Sequence, residues 1–379
     1  MSNGELIARH HADGRTVRVS WRDGILTTLE SFPGAPPDAW LAPPLVDIQI
    51  NGFAGVDFQR DGQTVEALLK ATRGLRRAGC TRFALTLITD EWSRLMARLR
   101  HLRQLREQSA ELKAAIFGWH IEGPFLSPEP GFRGAHNSDV MCDPTPAHMD
   151  ELRAITGNDP VLITVAPERT GTPEAIRHAV SLGFKVSLGH TNTPVDALRA
   201  AMAAGATGFT HLANGCPKDL DRHDNILWRV FDNPGLTVGL IPDKIHVSPV
   251  FFRLAHRLVD PAHIYYTTDA MSAAGAPPGR YSIGWIELEV GADQVVRLPG
   301  KPNFAGSALS PIDGVFRAAQ MLGRPWQEVW TFLSMNPARF MGQSLELAVG
   351  QAADFCLVHA DGDHQLAELE VYVAGSRSC

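Results

Sequence analysis

No stretch of the chain is long and apolar enough to cross a bilayer, which argues against a membrane protein. Cysteine is scarce. Cys80, Cys142, Cys216, Cys356 and Cys379 are odd in number and include no C-x-x-C pair, which excludes a disulfide framework or zinc knuckle and points to a reducing compartment. The segment from Met1 to Trp21 also lacks a signal peptide's apolar core, having His10, His11, Asp13 and Arg15 in its place, so a cytoplasmic protein is expected. An excess of one charge is missing as well: a formal charge of −6 gives no reason to expect nucleic acid, and a small molecule is the expected partner. Neither a 20–50-residue repeat nor a low-complexity segment is found.

What is present is an ordinary globular composition, 44% hydrophobic and 20% charged over 379 residues, enough for one large domain and a small one. Apolar, β-branched runs occur at Leu45–Ile50, Phe83–Thr89, Ala115–Ile121, Val161–Ala166, Lys185–Gly189, Gly208–Leu212, Val238–Ile241 and Tyr265–Thr268. Amphipathic segments such as Val65–Ala78, Trp92–Gln108, Pro173–Leu182 and Val195–Ala203 follow most of them. Alternating strand and helix predicts a (β/α)₈ TIM barrel, with an open doubly wound sheet as the alternative. Both chain ends instead carry short alternating runs and turns at Asp23-Gly24 and Asp361-Gly362-Asp363. The expected division is a small β-sandwich domain from residues 1–42 and 346–379, with the barrel over 43–345.

Chemistry-bearing residues gather at the carboxyl ends of the expected strands, which in a barrel open onto one face. Asp47, Gln49 and Asn51 end the first, Glu122 the third, His190 the fifth, His211 the sixth, His246 follows the seventh, and Asp269 ends the eighth. A lone histidine ending an apolar strand is more often a satisfied core side chain than a ligand. Here one carboxylate and two imidazoles, Glu122, His190 and His211, form a three-ligand set that leaves a coordination position open for water. Asp269 suits a general base facing that water, although an Asp in this position also commonly caps a turn. Asp47 is either a further ligand or a structural hydrogen-bonding group.

The run His120-Ile121-Glu122-Gly123-Pro124-Phe125-Leu126, followed by Gly134-Ala135-His136, resembles the signature of the N-acetylglucosamine-6-phosphate deacetylase family of the amidohydrolase superfamily. The resemblance continues in order through Ala166-Pro167-Glu168, Gly189-His190-Thr191-Asn192, Thr210-His211-Leu212 with Asn214, Asp243 with His246, Thr268-Asp269-Ala270-Met271, Phe304-Ala305-Gly306-Ser307-Ala308-Leu309 and Asn336-Pro337-Ala338. It implies that Glu122, His190 and His211 hold the metal, that Asp269 is the acid and base, and that His136 helps hold the substrate and stabilise the oxyanion. It further implies substrate contacts from Ala135, Asn214, Gly215 and His246, a homodimer, and an Arg222 that meets the phosphate in its own subunit or across the dimer interface. The guanidinium fork suits a phosphate.

Two departures from the family pattern bear on function. Many amidohydrolases begin the barrel with His-x-His, which helps hold a second metal; this chain has Gln49-Ile50-Asn51, a vestigial second-metal position that predicts one divalent ion. Zinc is expected first, with iron, cobalt or manganese open. The segment Gly215-Cys216-Pro217-Lys218-Asp219 through Arg222-His223-Asp224-Asn225 differs from the Asn-Ala-Met and Arg-Glu-Pro-Gly of typical members. The expected reaction is hydrolysis of the N-acetyl group of an amino-sugar phosphate, with N-acetylglucosamine 6-phosphate first. An N-acetylgalactosamine phosphate, an unphosphorylated sugar, a cyclic amide, or a non-catalytic sugar-phosphate-binding relative remain alternatives.

Overall fold

The structure, a computed structural model, describes residues 2–299 and 306–378; Phe304 and Ala305 of the motif above, and Cys379, lie outside the described residues. Eight parallel strands form its centre: Leu45–Ile50 (β1), Cys80–Ile88 (β2), Ile116–Glu122 (β3), Val161–Val165 (β4), Lys185–Leu188 (β5), Gly208–Phe209 (β6), Thr237–Leu240 (β7) and Ile264–Tyr266 (β8). Each pairs with the next in chain order, as expected of a (β/α)₈ barrel. Because helices cover the outside and side chains fill the inside, β1 and β4 are buried at every residue, which is why they read as unbroken apolar runs.

The expected helices form within a residue or so. Val65–Arg77 is capped by Thr64, whose Oγ1 accepts from Ala67 N (3.2 Å), and it buries Leu68, Ala71, Thr72 and Leu75 at helical spacing against the barrel. Trp92–Glu107, Thr172–Ser181 and Val195–Ala204 follow β2, β4 and β5.

The seam between β8 and β1 is not a full ladder. It has a bridge between Ile50 and Ala270 and hydrogen bonds from Asn51 N (2.7 Å) and Gly52 N (3.2 Å) to Ala270 O. The Asp47 carboxylate does the rest. Its Oδ1 accepts from Thr267 Oγ1 (2.5 Å) and Gln49 N (3.0 Å), and its Oδ2 from Thr268 N (2.8 Å) and Thr268 Oγ1 (2.6 Å). Burial pushes the Asp47 pKa up, and these four donors pull it back. Of the two readings of Asp47, the geometry selects the structural one.

Both chain ends build a small β domain. Its seven-stranded sheet runs, in spatial order, Ser376–Arg377, Leu366–Val373, Phe355–Ala360, Trp40–Ala42, Gly4–His10, Thr16–Arg22, Ile25–Ser31. Trp21 and Phe355 sit three strands apart, yet their rings meet edge-on with centroids 5.5 Å apart. Strands in a flat sheet are separated by about 4.7–4.9 Å each, so the sheet folds over to enclose its own core of Val17, Val19, Leu41, Ala353 and Phe355. Asp23 and Gly24 both have positive φ (53° and 78°), the backbone that a tight hairpin turn needs.

Gly279–Ile283, Ile286–Val290 and Val296–Arg297 form a three-stranded antiparallel sheet, packed through Ile283, Ile286 and Leu288 on Ile88 and Met271 at the barrel mouth. No described helix is long and apolar enough to cross a membrane.

Asp47→Ala leaves the Thr267, Thr268 and Gln49 donors buried without an acceptor. It is expected to lower stability by about 3 kcal/mol or more, read as a lower urea midpoint at unchanged m-value. A loss below about 1 kcal/mol would show that the seam does not depend on this carboxylate.

Candidate metal centre and substrate cavity

A cavity of about 730 Å³ opens at the carboxyl ends of the strands, a volume suited to a small polar ligand. Glu122, His190, His211 and Asp269 all border it. Glu122 is the last residue of β3; His190, His211 and Asp269 follow β5, β6 and the end of β8 with φ of 49°, 29° and 51°. Non-glycine residues rarely adopt this left-handed backbone, which ends the strands a residue or two early and turns these side chains inward.

His211 Nε2 lies 2.8 Å from Glu122 Oε1, His190 Nε2 lies 3.2 Å from His211 Nε2, and His190 Nε2 lies 3.4 Å from Glu122 Oε1. Two ligand atoms sharing a tetrahedral ion at 2.0–2.1 Å stand about 3.3 Å apart, so the spacing suits one shared cation. His190 Nδ1 faces the Phe132 carbonyl oxygen (2.8 Å), which only accepts, so Nδ1 carries the proton and Nε2 keeps its lone pair. Burial disfavours charge on Glu122, yet its hydrogen bonds with His190 and His211 hold its pKa well below the ordinary value. His136 also falls within 4.8 Å of Glu122 and His190 as a potential ligand. Its Nδ1, however, pairs with Thr89 Oγ1 (2.8 Å) and its ring stands edge-on to His190 at 4.4 Å, so His211 makes the tighter third member. Burial, then the neighbouring His190, pushes the His136 pKa down to about 3, and it stays neutral.

Gln49 and Asn51, expected from the sequence to be a vestigial second-metal position, both face the carboxylates of the site. Gln49 Nε2 donates to Glu122 Oε1 (3.0 Å) and Asn51 Nδ2 to Asp269 Oδ1 (2.7 Å), so each amide orients one of the two carboxylates. Gln49 Oε1 and Asn51 Oδ1 are buried with no hydrogen-bond partner among the described residues, which marks this floor as polar and able to face a cation or water. Burial, reinforced by the Glu122 carboxylate, raises the Asp269 pKa to about 7, so either protonation state is accessible near neutral pH.

Ala135, His136, Asn214, Gly215 and His246 all line the cavity. Gly215 has φ +61°, and a Cβ there would stand 2.7 Å from His190 Nδ1, so the loop passes too close for any side chain. His246 Nδ1 pairs with Asp243 Oδ2 (2.6 Å), whose Oδ1 accepts from the backbone of Ile245 and His246 (2.8 Å each). Arg222 is not brought to the cavity: it is exposed, and its carbonyl accepts from Trp228 Nε1 (3.3 Å). His120 points into the barrel, where it pairs with Thr164 Oγ1 (2.8 Å) in a hydroxyl chain through Thr210 and Ser187.

Sequence reasoning missed Thr89, which orients His136, and Glu168, whose carboxylate accepts from Thr191 Oγ1 and Asn192 N just beyond His190. Lys218, named there only as part of the divergent segment, lines the cavity. Glu168 lay within a quoted motif and Lys218 within the divergent segment; an isolated Thr gave no local signal.

No protein-family model matches the chain. It is 32% identical over 348 residues to the N-acetylglucosamine-6-phosphate deacetylase of Bos taurus, covering 88% of this chain and 82% of the relative. It is 30% identical over 333 residues to the N-acetylgalactosamine-6-phosphate deacetylase of Escherichia coli O157:H7, covering 87% and 86%. Among solved structures, a mutant N-acetyl-D-glucosamine-6-phosphate deacetylase from Mycobacterium smegmatis, in complex with N-acetyl-D-glucosamine-6-phosphate, is 28% identical. It superposes with a TM-score of 0.87 over 100% of both chains.

Gly215→Ala is expected to displace the His190 ring and weaken Zn²⁺ binding by about tenfold or more, measured by titrating metal-free protein in competition with a chromophoric chelator. Wild-type affinity would mean that the loop, not His190, gives way.

Proposed function

Since the chain belongs to the N-acetylglucosamine-6-phosphate deacetylase family of amidohydrolases, we propose that it hydrolyses the acetamide of N-acetylglucosamine 6-phosphate to glucosamine 6-phosphate and acetate. The observation that carries this reading is the meeting of Glu122, His190 and His211 at 2.8–3.4 Å, in one cavity with Asp269. These three side chains would hold one divalent ion, zinc by preference for two imidazoles and a carboxylate, with iron, cobalt or manganese as other occupants. When bound, the ion supplies Lewis acidity, polarising the acyl oxygen and making water acidic enough to ionise near neutral pH.

Asp269, held by the Asn51 amide, takes a proton from the attacking water and later delivers it to the leaving nitrogen, serving as base and then acid. An Asp with a pKa near neutrality suits both halves of that task. Neutral His136, oriented by Thr89, is the group assigned to the oxyanion of the tetrahedral intermediate and, with Ala135, to holding the acetamide. Asn214, Gly215 and His246 are assigned to the sugar and its phosphate.

A second reading, deacetylation of N-acetylgalactosamine 6-phosphate, draws on the Escherichia coli relative of that name and on the divergent 215–225 segment. The assignment to the cytoplasm draws on four free thiols among the described residues. A homodimer is favoured by an exposed apolar stripe, Val250, Leu254 and Leu258, spaced by four along the helix Pro249–Leu258. Exposed Trp228 continues it through Phe231 and Phe251, and Arg222 adjoins Trp228, where it would reach a partner's site.

Acetate release from N-acetylhexosamines with and without a 6-phosphate, on protein of measured metal content, tests the reading. Asp269→Asn is expected to retain stoichiometric metal while turnover falls by roughly 10²–10⁴-fold, and wild-type-like turnover would refute its role. His190→Ala and His211→Ala are expected to lose metal and activity together.

A further inference from the structure

We propose that Lys218 is the cationic residue of this chain's own subunit that, beside Asn214, Gly215 and His246, binds the anionic end of the substrate and sets its preference for a phosphorylated sugar; this rests on the deacetylase reading above. The metal-centre end of the cavity carries the carboxylates Glu122 and Asp269. Among the described residues, Lys218 is the one Lys or Arg lining that cavity, and its ammonium has no hydrogen bond or ion pair with any of them. Lys218 is exposed on the loop that borders this sugar-sized cavity, where a cation is placed to meet an anion bound there.

The loop that carries Lys218 is positioned closely. Gly215 lies on the His190 ring, and a Cβ on Gly131 would stand 2.6 Å from the Cβ of Pro217, so the loop is clamped on both sides just before Lys218. Three residues of extended chain span at most about 11 Å, which limits how far Lys218 can stand from the Gly215 contact with His190. The same loop turns away after Leu220. Asp221 Oδ1 accepts from His223 N (2.7 Å) and Asp224 N (2.9 Å), and Asn225 Nδ2 donates to Asp221 O (2.7 Å) while its Oδ1 caps the helix Ile226–Phe231. These bonds, with Trp228 Nε1 on the Arg222 carbonyl, hold Arg222 on the outer surface. One loop thus presents two cations to two places, and Lys218 is the one on the cavity side. Ser248, which also borders the cavity, caps the N-terminus of the ten-residue helix Pro249–Leu258, whose dipole adds to the attraction for an anion.

A lysine acts on a phosphate as a point charge on a flexible stem, so Arg in its place keeps the attraction and Met removes it. Lys218→Met is expected to lower the ratio of kcat/KM for N-acetylglucosamine 6-phosphate to that for N-acetylglucosamine by roughly 10- to 100-fold, mostly through KM, and Lys218→Arg to restore most of it. An unchanged ratio, or equal losses on both substrates, would overturn the proposal. Calorimetric binding of glucose 6-phosphate to the metal-loaded protein reads the same contact without turnover, with a Kd at least about tenfold weaker in Lys218→Met. Equal Kd values would overturn the proposal here too. If the wild type releases no acetate from any N-acetylhexosamine, the deacetylase reading fails, while the glucose 6-phosphate arm still decides the role of Lys218.

Discussion

Closure of the barrel between β1 and β8 rests on the carboxylate of Asp47, and the site is assembled around that closure. Elsewhere adjacent strands share ladders of main-chain hydrogen bonds, whereas this seam has one bridge, Ile50 to Ala270. The cause is local: the chain leaves strand geometry after Tyr266 so that Asp269, at φ 51°, turns into the cavity. The Thr268 N–H freed by that departure, together with the hydroxyls of Thr267 and Thr268, needs an acceptor, and buried Asp47 supplies it. Side chains two apart on a strand share a face, so the register that places Asp47 at the seam also points Gln49 and Asn51 inward.

That placement governs how two carboxylates share one buried cavity. Glu122 and Asp269 disfavour each other's ionisation, and the outcome differs between them: hydrogen bonds with two imidazoles hold Glu122 ionised, while Asp269 is pushed to about 7. Gln49 and Asn51 meet these carboxylates with neutral N–H donors instead of metal-binding imidazoles. An amide orients a carboxylate well but binds a transition metal poorly, so this exchange disfavours a second metal beside Glu122.

Around this centre, the outer half of the cavity comes from segments that are not barrel strands. The loop from Asn214 passes over His190 where only glycine fits, brings Lys218 to the cavity and is then pinned outward by Asp221 and Asn225. On another side, Ile283 of the three-stranded sheet lines the cavity, and that sheet packs on Ile88 and Met271 of the barrel mouth. The centre and its rim therefore answer to different parts of the chain, which leaves room for the substrate's outer end to vary while the reacting end is kept.

The barrel strands and the residues at their ends were legible in the sequence because a buried parallel strand must be apolar along its whole length, and polar groups at its carboxyl end stand out against that run. Glu122, His190, His211 and Asp269 could be picked out in this way, and the expected strand β1 has the same bounds in the structure. Three things were decided only in three dimensions. The role of Asp47 depends on donors more than two hundred residues away at Thr267 and Thr268. The three-stranded sheet at the mouth is held by antiparallel pairing and a small satellite core, with no long periodic run to announce it. Which of Lys218 and Arg222, four positions apart on one loop, borders the cavity of its own subunit turns on where the chain is clamped and capped, a matter of contact rather than of residue type.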